Sequence, residues 1–336
     1  MTLEYFCEYF NPIYKKEVEK LLSHFCLYSK NKNIDNLIKK TLDLSSGGKR
    51  IRAYVCALSY EAKNKQDLAK IKNQLIAIEL LHFFALIHDD VMDNSTMRHG
   101  KKTINSFGKK ENEILKSKNE SIIIGDLIFS YSYRLFLKDN KSEESISVFD
   151  TLIEEVIFGQ TLDLELSQEL NYTQDNVISK MLYKTARYTF TRPIQIGILF
   201  RNESHNISVL KKAEVFGDSI GMMFQIDDDL LDIFGDTKIT NKNTFQDIEG
   251  FQATILTSFV FENKKYKKQL TSYLGKTLTE KDKLDLKNIF IESGALNKTT
   301  LLKEKYIKTA NNSLVGSPEF SVKWKNLITT LSNRKK

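Results

Sequence analysis

Two groups of aspartates stand out by type and spacing. His88-Asp89-Asp90-Val91-Met92-Asp93 ends an otherwise apolar stretch, IELLHFFALI, and Asp228-Asp229-Leu230-Leu231-Asp232 follows a second apolar run. Carboxylates on the inward face of a core helix are costly unless something pairs with them. Asp89 and Asp93 are four residues apart and project side by side, with Asp90 about 100° around the helix. Asp228 and Asp232 repeat the spacing. Two such pairs facing one cavity hold hard divalent cations through oxygen ligands and leave positions open for a phosphate. With no Cys and a single adjacent His, the donor set argues against Zn²⁺ and for Mg²⁺. Two other readings use the same residues. A helix end with surface carboxylates explains either cluster alone, though two clusters behind similar apolar helices make coincidence a poor account. His88-Asp89 also matches the HD dipeptide of helical metal phosphohydrolases. That chemistry needs further His ligands, and three of the five His (82, 88 and 99) cluster here, but the paired aspartates suit it less well.

The elements that must position these groups read as helices. Leu75, Ile78, His82, Leu86, Asp89 and Asp93 recur every three or four residues on one helix face. Residues 142–169, 175–200 and 207–234 read as further long helices, with Pro193 kinking one of them. Trp324, Leu327, Ile328 and Leu331 repeat the spacing after a start signal at Ser317-Pro318. No alternating strand pattern, solenoid-period repeat or Pro/Gly/Ser-rich linker is evident. The chain has only 3 Pro in 336 residues, against about 5% in average usage. The expected architecture is one all-α domain over residues 1–336. Three polar segments, each near a helix terminus and each carrying Gly with Lys or Arg, interrupt the helices: SSGGKRIR (45–52), NSTMRHGKKT (94–103) and GDTKITNKNTFQDIEG (235–250). Loops so placed display binding groups.

Composition excludes other classes. The net charge is +7, but the basic residues are spread over mixed-charge faces without a basic arm or zinc-finger spacing, so no nucleic-acid partner is expected. Cys7, Cys26 and Cys56 give neither a CxxC nor an even disulfide set. There is no signal-peptide pattern and no run of 18 uncharged apolar residues, so a cytoplasmic chain without a transmembrane segment is expected.

Six elements in order resemble the trans-isoprenyl diphosphate synthase (polyprenyl synthetase) family. Gly47–Arg52 looks like GGKRxRP, with Ala53 in place of Pro. Glu79-Leu80-Leu81-His82 with Leu86–Asp93 resembles ExxH…LIHDDxxD. Gly159-Gln160 with Asp163 resembles GQxxD, and Lys184-Thr185-Ala186 matches KTA. Phe224-Gln225 leading into Asp228–Asp232 resembles FQxxDDxLD. The resemblance implies an isoprenoid-synthase-type all-α helical bundle with a central cavity, commonly as a homodimer. It implies a Mg²⁺-dependent prenyltransferase that condenses isopentenyl diphosphate with an allylic diphosphate. Asp89, Asp93 and Asp228 would bind the ions, supported by Asp90, Asp229 and Asp232. Arg98, Lys184 and Lys242 would contact the allylic diphosphate. Isopentenyl diphosphate would sit on Lys49, Arg52 and His82, the last about 10 Å from Asp89 along the same helix face. Thr185 and Gln225 would present oxygen dipoles to the cation, and Gly159 and Asp163 would serve packing and support.

Two departures from the family pattern stand out. His99 replaces the second Arg of RRG at a position that contacts isopentenyl diphosphate. The loop after the second aspartates is one residue short, with Phe251 or Gln252 in place of a Lys. Neither change removes a metal ligand. In this family the side chains about one turn before the first aspartates, here Phe84 and Ala85, set product length, and a ring there implies a C15–C20 product. The competing readings are a longer-chain synthase, a non-catalytic subunit of a hetero-oligomer, and a class I terpene cyclase, which lacks the GGKRxR segment. The basic C-terminus Arg334-Lys335-Lys336 is read as a disordered tail.

Overall fold

The computed structural model describes residues 1–28, 31–108, 110–140, 142–167, 169–201, 207–235 and 244–332. Lys242 and the C-terminal Arg334-Lys335-Lys336 lie outside them. The chain divides into two compact units, Met1–Ile146 and Ser147–Lys336.

The first unit holds α1 (Leu3–Tyr28), α2 (Lys32–Ser45), α3 (Ile51–Ser59), α4 (Lys65–Lys70), α5 (Lys72–Met92), a hairpin of β1 (Met97–Arg98) and β2 (Lys101–Lys102), a 3₁₀ turn (Ile104–Ser106) and α6 (Glu111–Leu137). A helix apolar all round has to be covered all round, and α5 is the case: Leu75, Ile76, Ala77, Ile78, Leu80, Leu81 and Phe83 are all buried. Apart from the small Ala77, each such side chain contributes roughly 1.5–3 kcal/mol. Gly125 lets α6 approach α5 closely, since a Cβ there would stand 2.2 Å from the His88 ring. Ser132 Oγ donates to the Ala77 carbonyl at 2.7 Å. In α1 the rings of Phe6, Phe10 and Tyr14 form a buried row, Phe6 and Phe10 with centroids 5.0 Å apart.

α7 (Glu143–Leu166) starts at the end of the first unit and leads into the second. That unit continues with α8 (Gln174–Lys180), a π-helical stretch (Met181–Thr191), α9 (Arg192–Phe200), α10 (Ile207–Phe234), α11 (Gln246–Glu249), α12 (Ile255–Phe261), α13 (Lys264–Thr271), α14 (Glu280–Glu292), α15 (Ala295–Asn312) and α16 (Pro318–Ser332). Thr173, Thr254 and Thr279 start their helices with reciprocal capping boxes. α10 lies against the π-helical stretch at two glycines. A Cβ on Gly217 would meet Thr191 Cα at 2.5 Å, and one on Gly221 would meet Ala186 Cα at 2.4 Å. Trp324 of α16 is fully buried against Phe216 of α10, with centroids 5.0 Å apart.

The helices expected from spacing are present, with two differences. Residues 175–200 form no single kinked α-helix. The run widens to π geometry over Met181–Thr191 and returns to α geometry with Pro193 in the first turn of α9. Proline lacks an amide hydrogen and its ring collides with the carbonyl four residues back, so a change of register just before it removes both problems. The second difference is the hairpin inside 94–103. Its strands pair Met97 with Lys102 and Arg98 with Lys101, too short a segment for any periodicity to register.

Candidate active site

In the first unit, the last turn of α5 carries the first aspartates. Asp90 is 1% exposed, and burial pushes its carboxyl up to about 6 against the pull of Arg98. Arg98 Nε donates to Asp90 Oδ1 at 2.7 Å, and its Nη2 reaches Asp89 Oδ2 at 3.2 Å. The Asp90 backbone carbonyl accepts from Ser95 N at 2.9 Å and Asn105 Nδ2 at 3.0 Å. Asp89 is part-exposed, and Asp93 is the exposed C-cap. His88 takes no place beside them: its ring lies against α6, with Nε2 3.2 Å from the Ile122 carbonyl oxygen and 3.6 Å from Asp126. The HD phosphohydrolase reading therefore loses its histidine.

Three turns earlier on α5, Glu79 is 1% exposed and fixes the Gly47–Arg52 segment. It accepts from Ala53 N at 3.0 Å, capping the start of α3, and faces Arg50 at 3.5 Å. Arg50 has left-handed backbone geometry (φ 54°). It is buried over the Tyr14 ring and donates to Asn11 and to the Ser45 carbonyl. Arg50 thus supports the loop, while exposed Lys49 and part-exposed Arg52 flank it. His82 faces this loop. Burial, then the charges of Arg52, Arg98, Arg50 and His99, hold its imidazole well below the usual histidine range, so it is neutral at pH 7. The structure thus brings His82, Arg52, Arg98 and His99 into one electrostatic neighbourhood.

His99 and Gly100 form the hairpin turn, both with positive φ (51° and 75°), as a two-residue I′-type turn requires. The His99 ring packs directly over Gly47, where a Cβ would stand 2.8 Å from its Cδ2. Phe84, one helical turn before His88, meets the His88 ring edge-on with centroids 4.6 Å apart and the Phe129 ring of α6 at a tilt, 5.0 Å away; Ala85 beside it is half-buried.

In the second unit, Gly221 against Ala186 sets Thr185 opposite Gln225 one turn further along α10. Thr185 Oγ1 donates to Gln225 Oε1 at 2.9 Å, Gln225 Nε2 donates to Asp229 Oδ1 at 2.8 Å, and Asp229 Oδ2 accepts from Ile255 N at 3.2 Å. Asp229 is buried. That burial raises its carboxyl to about 6, the Gln225, Lys180 and Ile255 contacts opposing. Asp228 and Asp232 are part-exposed. Asp232 also accepts from Gln246 N and Asp247 N at the start of α11, at 2.9 and 3.1 Å. Asp247 adds a carboxylate to this group: burial and the charges of Asp232, Asp229 and Asp228 push it well above the usual range, against Lys180. Spacing alone gave Asp247 no role, and its one sequence signal is an acidic residue in the loop that follows the second motif.

Gly159 lets α7 touch the Lys184 backbone, a Cβ there standing 2.3 Å from Lys184 N. One turn on, Asp163 binds the ammonium groups of Lys184 and of Lys180, the latter at 3.0 Å. Burial raises Asp163, but the two lysines win and hold it below the usual range. Lys180, four residues before Lys184, went unassigned from sequence. Phe251 has left-handed backbone geometry and packs against the core of the second unit.

The donor set fits Mg²⁺. It is all carboxylate oxygen, although among the described residues no three His, Cys, Asp or Glu side chains are grouped closely enough to hold a metal ion by themselves. Mg²⁺ is characteristically held by one or two carboxylates, its shell completed by substrate phosphates and water. Asp90 Oδ2 is moreover buried with no hydrogen-bond partner. No helix among the described residues is long and apolar enough to cross a membrane.

Comparison with known proteins bears on the family and the fold. A geranylgeranyl diphosphate synthase of Saccharolobus solfataricus is 30% identical over 301 residues, 84% of this chain and 87% of its own length. One from Sulfolobus acidocaldarius is 29% identical over 322 residues, 93% of this chain and 92% of its own. The crystal structure of a Corynebacterium glutamicum geranylgeranyl pyrophosphate synthase, complexed with isoprenyl diphosphate and magnesium, matches the fold with a TM-score of 0.84 at 22% identity, over 97% of this chain and 98% of that one. The polyprenyl synthetase family model matches residues 32–290, through both units, and this chain belongs to the polyprenyl synthetase family.

Proposed function

We propose that the chain is a trans-prenyltransferase that condenses isopentenyl diphosphate with an allylic diphosphate to give a C15–C20 prenyl diphosphate, working as a homodimer with residues 1–336 acting as a single domain. The observation that supports this reading is that Arg98 spans Asp89 and Asp90 while its charge, with those of Arg52 and His99, also acts on His82 two turns earlier on α5. Such a group suits an anionic substrate beside a metal-liganding pair.

Asp89, Asp93 and Asp228 would hold Mg²⁺, supported by Asp90, Asp229 and Asp232. Mg²⁺ held there would supply positive charge to offset that of a leaving diphosphate. Arg98, Lys184 and Lys242 bind the same diphosphate. Lys49, Arg52 and His99 bind the diphosphate of isopentenyl diphosphate, and His82 donates a hydrogen bond to it. Thr185 and Gln225 turn oxygen dipoles toward the allylic cation, with Gln225 held in orientation by Thr185 and Asp229. The isopentenyl double bond attacks the cation, one carbon–carbon bond forms, and a proton leaves to the released diphosphate. Leu115, Ile122 and Ile123 on α6 are exposed and supply an apolar face for self-association.

The test is incubation with isopentenyl diphosphate and each allylic primer in turn, with Mg²⁺ or EDTA, followed by sizing of the dephosphorylated alcohols. A Mg²⁺-dependent C15 or C20 alcohol is expected. A longer alcohol indicates a long-chain synthase, and no condensation by well-folded protein indicates a subunit that needs a partner.

A further inference from the structure

We propose that Lys101 and Asp43, neither of them in the family motifs named above, are the positioning pair of the isopentenyl diphosphate site; this rests on the function proposed above. Lys101 Nζ contacts the Asp43 carbonyl at 2.8 Å, Asp43 Oδ1 at 2.6 Å and Ser46 Oγ at 2.9 Å. Three acceptors meet the three donors of one ammonium group, at the C-terminal end of α2 where the helix dipole favours a cation. The residues that follow are Gly47, Gly48 and Lys49.

The hairpin has two further attachments. At its base, Asn105 Nδ2 donates to the Asp90 and Ser95 carbonyls, both at 3.0 Å, and Thr103 Oγ1 donates to the Ser95 carbonyl at 2.7 Å. Midway, Arg98 is held by Asp89 and Asp90. A two-stranded hairpin of this length has little stability of its own. Lys101 therefore decides where the turn sits, and the turn carries His99 onto Gly47. Both partners already satisfy each other, so neither is needed to touch substrate. Loss of the tether frees His99, while Arg98 keeps its own ion pairs. The effect falls on isopentenyl diphosphate and spares the allylic substrate.

The experiment compares full-length wild type with K101M, D43N and K101R. Each substrate is varied at saturating levels of the other, and isopentenyl diphosphate binding is measured by calorimetry. K101M and D43N are expected to raise the KM and Kd for isopentenyl diphosphate about three- to fivefold, with the allylic KM and kcat within about twofold. K101R is expected to restore most of the affinity. Equal rises in both KM values, or a lower melting temperature with unchanged isopentenyl diphosphate affinity, would overturn the pair's role. Wild type that binds isopentenyl diphosphate without turning over, while K101M binds it more weakly, would sink the synthase reading and leave the pair standing.

Discussion

Arg98 spans two neighbouring carboxylates with one guanidinium, at 2.7 Å from buried Asp90 and 3.2 Å from part-exposed Asp89. The two contacts differ in kind. Asp90 needs the cation because it is desolvated, whereas Asp89 is reachable from solvent and open to exchange its partner.

With Asp89 as a metal ligand in the proposed function, Arg98 would compete with the ion for that carboxylate. Removing its charge in Arg98→Gln is expected to tighten Mn²⁺ binding in the absence of substrate by about tenfold, the scale of one close charge at the effective dielectric of a protein surface. Affinity for the allylic diphosphate should fall at the same time. Electron paramagnetic resonance of free Mn²⁺ reads the first effect without turnover. Weaker or unchanged Mn²⁺ binding would show that Arg98 does not compete.

Close backbone contact at Gly159 and Gly221 leaves no room for a methyl group. Gly159→Ala and Gly221→Ala are each expected to destabilise the protein by about 1–3 kcal/mol through forced separation of helices. Calorimetric unfolding reads the loss. Gly221→Ala should also lower kcat below what the folded fraction explains, because it moves Thr185 away from Gln225.

Phe84 packs on Phe129 and His88, so its ring is braced from two sides. Phe84→Ala is expected to move the main product to longer chains and to destabilise the fold by about 1–3 kcal/mol. Chromatography of the dephosphorylated products checks the first, thermal unfolding the second. An unchanged product distribution would remove Phe84 as the floor of the chain-length pocket.

Asp163 is held below the usual carboxylate range by Lys180 and Lys184. A depressed folded-state value means that its stabilisation is fully present above the unfolded value, near 3.8. It is lost as pH falls through the folded value. Asp163→Asn is expected to cost about 2 kcal/mol at pH 7, leaving two ammonium groups without their carboxylate. The difference from wild type should shrink in strong acid. Denaturant titrations at pH 7 and pH 3 measure this, and a difference that grows in acid would contradict the assignment.

The helices and both aspartate motifs were legible from spacing, because a period near 3.6 survives in a single chain and the motif residues are local. Which aspartate does what was less legible. Asp89 and Asp90 are neighbours in sequence, yet one is part-exposed and the other buried on Arg98, since adjacent helical positions point about 100° apart. The same holds for Asp228 and Asp229. Glu79 as the cap of α3, Lys180 on Asp163, Asp247 beside Asp232 and Lys101 on Asp43 join residues between 15 and 58 positions apart. No local pattern records such pairings.

The sequence alone determined the helical class, the chemistry of the donor set and the family, because those depend on residue type and on intervals of a few positions. Tertiary structure alone decided that 181–191 widens to π geometry, that His88 turns toward α6, and that His99 rests on Gly47. Each of these is settled by which backbone comes within contact distance of which side chain, and that depends on how distant segments pack.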